Sequence, residues 1–475
     1  MHRARGLSSP GDYYHAADHG LAPRCRRRTT AAQTCRSVLQ VMTASNGMSM
    51  FDYDARPVTP QVVLVGNRAS SVGYTIRDFL SRNGVPYDWV DLDDAERVRA
   101  LLSPSEMDPG VLPICILPNG IRLAPATLED VAAGLGMVSA PSLSEYDLTI
   151  VGAGPAGLAA AVYAASEGLR TLAIEAIAPG GQAGTTSMIE NYLGFPQGIS
   201  GSELATRAAA QARRFGAEIL LARRLVDLSK DGAGFLARLS DGTIVRARAM
   251  LVASGVDWRR LEIPGLDDLL GSGVYYGAGP SEAVTCTGCR VAVIGGGNSA
   301  GQAVVRFSRY AAHVTLLVRG SSLEASMSQY LITQVGKLPN VEVRTNTEVV
   351  DFESDTHLRA LIVSSRRDSV LSRLPVDALF ICIGGVPRTE GAAQLGLALD
   401  RAGYVRTGAE VSSSAGAFEG WRLSRQPLPL ETNLPGLFAA GDIRSGSIKR
   451  CAAAIGEGSM AVALVHQRLA EVGGE

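Results

Sequence analysis

Tyr146-Asp-Leu-Thr-Ile-Val-Gly-Ala-Gly-Pro-Ala-Gly157 joins an apolar run to a glycine-rich turn. The run to Val151 predicts a buried strand, and it leads straight into Gly152-Ala-Gly-Pro-Ala-Gly157, a GxGxxG pattern. Small residues follow (Ala159, Ala160, Ala161, Ala164 and Ala165) and predict a closely packed helix. Thr171-Leu-Ala-Ile174 predicts the next strand, which ends in Glu175. Strand, glycine turn, helix, strand and acid in this register read as a dinucleotide-binding unit. Gly152 permits the tight turn, Gly154 lets the backbone approach a pyrophosphate, and Gly157 lets helix and strand pack closely. Pro155 and Ala156 complete the turn, and the helix start offers N–H groups and partial positive charge to phosphates. Glu175, 23 residues after Gly152, is placed to accept hydrogen bonds from ribose hydroxyls.

A second such pattern begins 143 residues later, where Val291-Ala-Val-Ile294 leads into Gly295-Gly-Gly-Asn-Ser-Ala300. Gly295, Gly297, Asn298, Ser299 and Ala300 are the matching phosphate-loop positions. A helix is predicted from Gly301 to about Tyr310, then a strand from His313 to Val318 that ends in Arg319. An acid at that strand end would favour NAD, whereas arginine accommodates a 2′-phosphate, so NADP is preferred over NAD. Two units require two dinucleotides, or are two ancestral copies of which one is used.

The rest of the chain is consistent with a large globular protein. Its 475 residues correspond to about three domains. Apolar residues are 46% and charged residues 19%, which excludes wholesale disorder. A net charge of −1 gives no basic field for nucleic acid. The 53 glycines lack a collagen-like period and suit tight turns and close backbone–ligand approach. Seven cysteines in a chain this long do not make a disulfide scaffold. No apolar stretch is long enough to span a membrane.

Residues 1–58 read as a flexible basic tail, with Pro10, Gly11, Pro23 and the run Arg24, Arg26, Arg27, Arg28. No apolar stretch follows the arginines, which argues against a secretory signal. A targeting leader is the other reading, weakened by Asp12 and Asp18. An early start codon fits the later Met42, Met48 and Met50. Cys25 and Cys35 fall in this tail and are expected to do no chemistry.

Residues 59–140 predict a small α/β module: strands at Gln61–Val65, Tyr87–Leu92, Leu112–Leu117 and Ile121–Leu123, with helices at Ser71–Asn83 and Leu128–Leu135. This order resembles a thioredoxin- or glutaredoxin-like domain, with Leu112-Pro113 where that family keeps a cis-proline. The family's CxxC position reads Asn67-Arg-Ala-Ser-Ser-Val-Gly73, without cysteine. No thiolate is supplied there, so docking or scaffolding is expected; an unrelated α/β module is the alternative.

From about Tyr146 to Leu469 the chain resembles low-molecular-weight thioredoxin reductases, FAD-containing pyridine-nucleotide disulfide oxidoreductases. Pro179-Gly-Gly-Gln182 is similar to the family's flavin-contacting turn, which implies contacts from Gly181 and Gln182. Ile189-Glu-Asn-Tyr-Leu-Gly194 resembles its ENxPG segment and implies Asn191 near the isoalloxazine. Ala253-Ser-Gly255 and Ala378 to Thr389 resemble its two crossovers. Thr432-Asn-Leu-Pro-Gly-Leu-Phe-Ala-Ala-Gly-Asp442 is close to its late FAD motif, with Gly441 and with Asp442 for the ribityl chain. Lys449-Arg-Cys-Ala452 matches the segment over the flavin and implies contacts from Arg450, Cys451 and Ala452. The resemblance implies an α/β protein with two Rossmann-like three-layer domains. An FAD domain (145–258 and 376–475) is split by an NAD(P) domain (259–375). A cytoplasmic homodimer through the FAD domains is expected.

The pattern breaks at the redox pair. Its family position falls at Ala278-Gly-Pro-Ser281, without thiols. Cys286-Thr-Gly-Cys289 lies nearby, but Cys289 is six residues before Gly295. That places the pair at the edge of the NAD(P) domain; a surface or half-buried pair, or a metal half-site lacking partners, are the other readings. The family's basic cluster is thinned to Arg319, with Gly320 and Glu324 in place of further arginines. Leu323 to Leu331, containing Ser326-Met-Ser-Gln-Tyr330, is similar to reductase-like proteins that lack the CxxC and carry an extra N-terminal domain; a helix packed on the cofactor cleft is expected there.

Few other residues compete for a catalytic role. His2, His15 and His19 are in the tail, His313 reads as structural, and His357 and His466 are isolated, so no metal is expected. Serine hydrolysis has no G-x-S-x-G support. Cys115 and Cys382 read as core. The lysines are Lys230, Lys337 and Lys449, and Lys449 is either flavin-adjacent or an exposed loop residue. The expected activity is hydride transfer from NAD(P)H to FAD, then to an acceptor: an electron-carrier protein, a small oxidant or a partner's disulfide. Two alternatives stand: thioredoxin-disulfide reduction through Cys286 and Cys289, and a flavin- and NAD(P)H-binding sensor or docking protein with little turnover.

Overall fold

A computed structural model describes residues 61–67, 70–186, 188–277, 280–389, 395–411, 421 and 423–473. The basic tail with Cys25 and Cys35, and Ala278-Gly279 at the family's CxxC position, lie outside the described residues.

The first module comprises β1 (Val62–Gly66), α1 (Ser71–Arg82), β2 (Tyr87–Asp91), α2 (Ala95–Leu101), β3 (Ile114–Ile116), β4 (Arg122–Leu123) and α3 (Leu128–Gly134). Its sheet order is β2-β1-β3-β4. β1 and β2 are parallel, while β3 runs antiparallel to both β1 and β4. Ile76, Phe79 and Leu80 of α1 are fully buried with Leu64 and Val131, as the apolar spacing requires. The Ser70 hydroxyl accepts from the Gly73 amide at 3.1 Å and starts α1. The Leu112–Pro113 peptide is cis. Only Val98 is buried along α2, too little to show a helical period in the sequence.

The second sheet is built from β5 (Glu145–Val151), β6 (Thr171–Ile174), β7 (Glu218–Leu220), β8 (Leu225–Asp231), β9 (Gly234–Leu239) and β10 (Ile244–Val252), in the order β7-β6-β5-β10-β9-β8. Helix α4 (Pro155–Ser166) joins β5 to β6, and α5 (Gly201–Arg214) precedes β7. β11 (Val256–Trp258) then leaves this sheet.

The third sheet contains β12 (Val274–Tyr276), β13 (Arg290–Ile294), β14 (His313–Val318) and β15 (Val341–Thr345). Helix α6 (Pro280–Thr285) precedes β13, α7 (Asn298–Phe307) joins β13 to β14, and α8 (Gln329–Val335) precedes β15. β16 (Thr347–Ser354), β17 (Leu358–Ser365) and β18 (Leu371–Pro375) form an antiparallel layer of their own. β19 (Ala378–Ile381) then enters the third sheet between β12 and β13, giving the order β12-β19-β13-β14-β15. β19 pairs with β13 through Val291–Ala378 to Ile294–Ile381.

The chain crosses back after β19. β20 (Gly385–Pro387) pairs antiparallel with β11, so the outgoing and returning segments form one two-stranded ribbon. The Arg388 Nε donates to Asp257 at 2.8 Å across it. β21 (Leu437–Ala439) completes the second sheet beside β10, and α9 (Cys451–Gly473) packs on α4. A Cβ on Gly458 would lie 2.1 Å from the Ala156 carbonyl oxygen, so α9 meets α4 at backbone distance only through glycine. No helix among the described residues is long and apolar enough to cross a membrane.

Candidate functional site

Four parallel strands, β6, β5, β10 and β21, are neighbours in the second sheet and end on one edge. Glu175, Gly152, Ala253 and Gly441 follow these strands closely, so residues from distant sequence meet at a single crevice. Crevices at the carboxyl ends of parallel strands are where open α/β sheets bind ligands.

At Gly152 the backbone has no room for a side chain. Gly152 is left-handed at φ +101, and a Cβ on it would lie 2.5 Å from the Ala253 carbonyl oxygen. Gly154 caps the N-terminus of α4, with Pro155 at its first position. The nearest atom to a Cβ on Gly154 would be the Gly181 Cα at 3.9 Å, so the protein leaves that position open. Gly441 is left-handed at φ +76, and a Cβ there would sit 3.0 Å from Ala156 Cβ.

Polar side chains tie the loops together. The Glu175 carboxylate is buried; one oxygen accepts from the Ala153 amide at 2.8 Å and the other from the Ile177 amide at 2.9 Å. A carboxylate has about four acceptor sites, so capacity for ribose hydroxyls remains. Gln182 Nε2 donates to the Val256 carbonyl at 2.7 Å, linking the Gly180–Gln182 turn to the outgoing crossover. Gly255 is left-handed at φ +68 in that crossover. Asn191 is exposed in the turn after Ile189.

The late segment closes the crevice. Glu457 accepts from the Gly441 amide at 2.7 Å and pairs with Arg444 at 2.6 Å. Lys449 Nζ donates to the Asp442 carbonyl at 2.6 Å and lies 4.3 Å from the Tyr404 ring centroid, which sets this lysine beside Asp442. Burial raises the Asp442 carboxyl above its usual range, and Lys449 opposes that shift. Arg450 accepts the first bond of α9, from the Ala454 amide at 3.0 Å, and Cys451 and Ala452 open the helix. Burial pushes the Cys451 thiol up to about 11, so it is neutral at physiological pH.

The second glycine turn follows β13. Gly295 has φ +143, and a Cβ there would lie 2.3 Å from the Cys382 carbonyl oxygen, with Cys382 following β19. Gly297 caps α7, which therefore starts three residues earlier than expected. Ser299 is exposed, Ala300 is buried, and Arg319 is exposed at the end of β14.

Residues 146–458 match the pyridine nucleotide-disulphide oxidoreductase family. The chain belongs to that family. The thioredoxin reductase of Listeria innocua is 34% identical over 324 residues, covering 66% of this chain and 91% of the relative. The thioredoxin reductase of Streptomyces coelicolor is 34% identical over 338 residues, covering 69% and 95%. The solved thioredoxin reductase of Lactococcus lactis superposes with a TM-score of 0.61 at 26% identity, covering 69% of this chain and 99% of that one. The chain is thus an NAD(P)H-dependent flavoprotein oxidoreductase with two Rossmann-like domains and FAD as cofactor.

The first crevice fits that cofactor. Gly154 is open to a phosphate at the start of α4. Among the described residues, no hydrogen bond reaches the half-buried Asp442 carboxylate, which leaves it free to accept from a polyol hydroxyl.

Family membership makes the placement of the two cysteines important. Cys286 is buried in a cluster with Val291, Phe307 and Ala311, and Cys289 immediately precedes β13. The Cys289 carbonyl accepts from the Ala312 amide at 2.9 Å, which ties it to the base of β14. Gly295 lies at the other end of β13, roughly 20 Å away at ~3.3 Å per residue. Neither cysteine is in a disulfide, and burial raises the Cys289 thiol. No metal-binding group of three or more ligands occurs among the described residues.

One contribution was underestimated from sequence. Ser326 Oγ donates to the Gly296 carbonyl at 2.8 Å, and the Ser328 amide donates to Asn298 Oδ1 at 2.7 Å. Met327 packs on Gly301, where a Cβ would meet its sulfur at 2.9 Å. The Ser326–Ser328 segment therefore clasps the second glycine turn directly. The signal available was two serines flanking a methionine before a helix, which fixes no partner by itself. The following helix reaches the Ile189–Gly194 segment, with Gln334 Nε2 3.4 Å from both Glu190 carboxylate oxygens.

Proposed function

We propose that this flavoprotein passes electrons from NAD(P)H to an acceptor that meets the flavin directly, without relay through Cys286 and Cys289. The supporting observation is the position of that pair at the end of β13 opposite Gly295. When bound, FAD supplies hydride acceptance and electron delivery.

The chain's own residues supply position and electrostatics in this reading. Gly152, Gly154 and Gly157, with Pro155 and Ala156, hold the pyrophosphate against the start of α4. Glu175 orients the adenosine ribose while tying Ala153 to Ile177. Gly181, Gln182, Asn191, Ala253, Gly255 and Arg450 to Ala452 surround the ring, and Asp442 accepts from the ribityl chain beside Gly441. Gly295, Gly297, Asn298, Ser299 and Ala300 hold the nicotinamide dinucleotide, with Arg319 favouring a 2′-phosphate and hence NADPH.

The split-domain arrangement is supported by the ribbon of β11 and β20, a narrow connection suited to relative rotation. The thioredoxin-like reading of the first module is supported by its β2-β1-β3-β4 order. Exposed Leu193, Tyr163 and Phe215 on the second-sheet domain support a homodimer through that domain. A cytoplasmic location accords with the described cysteines being outside any disulfide.

Anaerobic stopped-flow mixing of FAD-loaded protein with NADPH and with NADH tests the reading. Flavin bleaching on the turnover timescale, faster with NADPH, is expected. Flavin that stays oxidised with both nucleotides would favour a sensor or docking protein instead.

A further inference from the structure

Arg82 and Asn83 end α1 in the first module, almost a hundred residues before the loop they touch. Arg82 Nη2 donates to the Gly181 carbonyl at 2.8 Å and to the Ala178 carbonyl at 3.4 Å. Asn83 Nδ2 donates to the Ile177 carbonyl at 3.0 Å while also holding the Phe79 carbonyl of its own helix at 2.8 Å. All three long-range acceptors lie in the turn between Glu175 and Gln182.

That turn needs outside support. Gly180 and Gly181 are left-handed at φ +102 and +52. A Cβ on Gly181 would lie 3.1 Å from the Gly154 Cα, so bare backbone of this turn faces bare backbone of the first glycine turn. The two are joined by the Gly180 amide, which donates to the Ala153 carbonyl at 2.7 Å, and by the Glu175 carboxylate between Ala153 and Ile177. Carbonyls outside regular structure require donors, and donors carrying charge form the stronger bonds. Arg82 is such a donor: its side chain is 17% exposed, and Asp78 one helical turn earlier pairs with it at 3.4 Å. The guanidinium is therefore held from behind and aimed at the turn.

We propose that α1 is a brace for the flavin site, with Arg82 and Asn83 as positioning residues that press Ile177–Gly181 against the first glycine turn. The cysteine-free module then serves cofactor retention within its own chain. This rests on the reading of Gly181 and Gln182 as flavin contacts.

Titration of the full-length, FAD-depleted chain with FAD, followed by flavin fluorescence and visible circular dichroism, tests the brace. Arg82→Gln should raise the FAD Kd on the order of tenfold and change the flavin dichroism. Arg82→Lys should recover part of the loss, since one ammonium replaces a two-armed fork. Arg224→Gln breaks the Arg224–Glu129 pair, 3.3 Å long, which joins the same module to the chain away from this turn. It should leave the Kd within about twofold of wild type. An unchanged Kd in Arg82→Gln, or an equal loss in Arg224→Gln, would overturn the brace. If Arg82→Gln fails to fold, Asn83→Ala decides: a rise of about threefold is expected, and an unchanged value overturns the proposal. A wild-type chain that binds no FAD would overturn the reading of the first crevice instead.

Discussion

Gly157 lies so close to Gly152 that a Cβ on Gly157 would sit 1.9 Å from the Gly152 carbonyl oxygen. The neighbour is backbone at the end of β5, so it cannot swing aside. Gly157→Ala should cost about 2 kcal/mol or more, a fall in Tm of about 2 °C or more for a chain of this size, even without cofactor. Gly154→Ala is the contrasting case. Its new methyl meets nothing of the protein closer than 3.9 Å, so the apo Tm should hold while FAD affinity falls. Thermal unfolding with and without FAD separates the two effects.

Glu175→Gln changes one atom's chemistry in a buried tie. The carboxylate accepts from both the Ala153 and Ile177 amides, whereas an amide offers one acceptor and turns an NH2 toward the other donor. One buried N–H loses its partner, at ~1–3 kcal/mol. The apo Tm should drop and the FAD Kd should rise by about tenfold, both measured in one titration series.

Much of this arrangement was legible in the sequence where backbone geometry constrains residue type. Gly152 and Gly157 announce themselves because no Cβ fits, and Gly154 because a ligand must pass close. The strands around them carry continuous apolar runs, so β5, β6, β13 and β14 were readable. β19 was readable as a strand but not as a member of the third sheet, because an apolar run does not encode its neighbours. The Arg82–Gly181 contact left no sequence signal at all, since a helix-ending arginine is the ordinary complement of a helix dipole. Ser326 and Ser328 were similarly silent: their partners are a carbonyl and an asparagine some thirty residues away.

Arg319 is exposed at the end of β14, where a 2′-phosphate is expected. Arg319→Gln should raise the KM for NADPH by about tenfold and leave that for NADH unchanged. Steady-state kinetics with both nucleotides checks this directly.

Cys451 supplies a pH signature. Alkylation requires the thiolate, and a thiol raised to about 11 by burial holds only ~0.1% thiolate at pH 8. Labelling of Cys451 by iodoacetamide, followed by peptide mass spectrometry, should be slow at neutral pH. It should climb about tenfold per pH unit toward pH 11. A plateau near the ordinary thiol range would contradict the burial of this side chain.

The route of the electrons is tested by anaerobic titration of air-oxidised, FAD-loaded wild type and the Cys286→Ser/Cys289→Ser double variant with NADPH. One equivalent of NADPH per FAD should bleach the flavin in both proteins, because no second two-electron centre communicates with the ring. A wild type that consumes two equivalents, against one in the double variant, would contradict this and return Cys286 and Cys289 to the catalytic path.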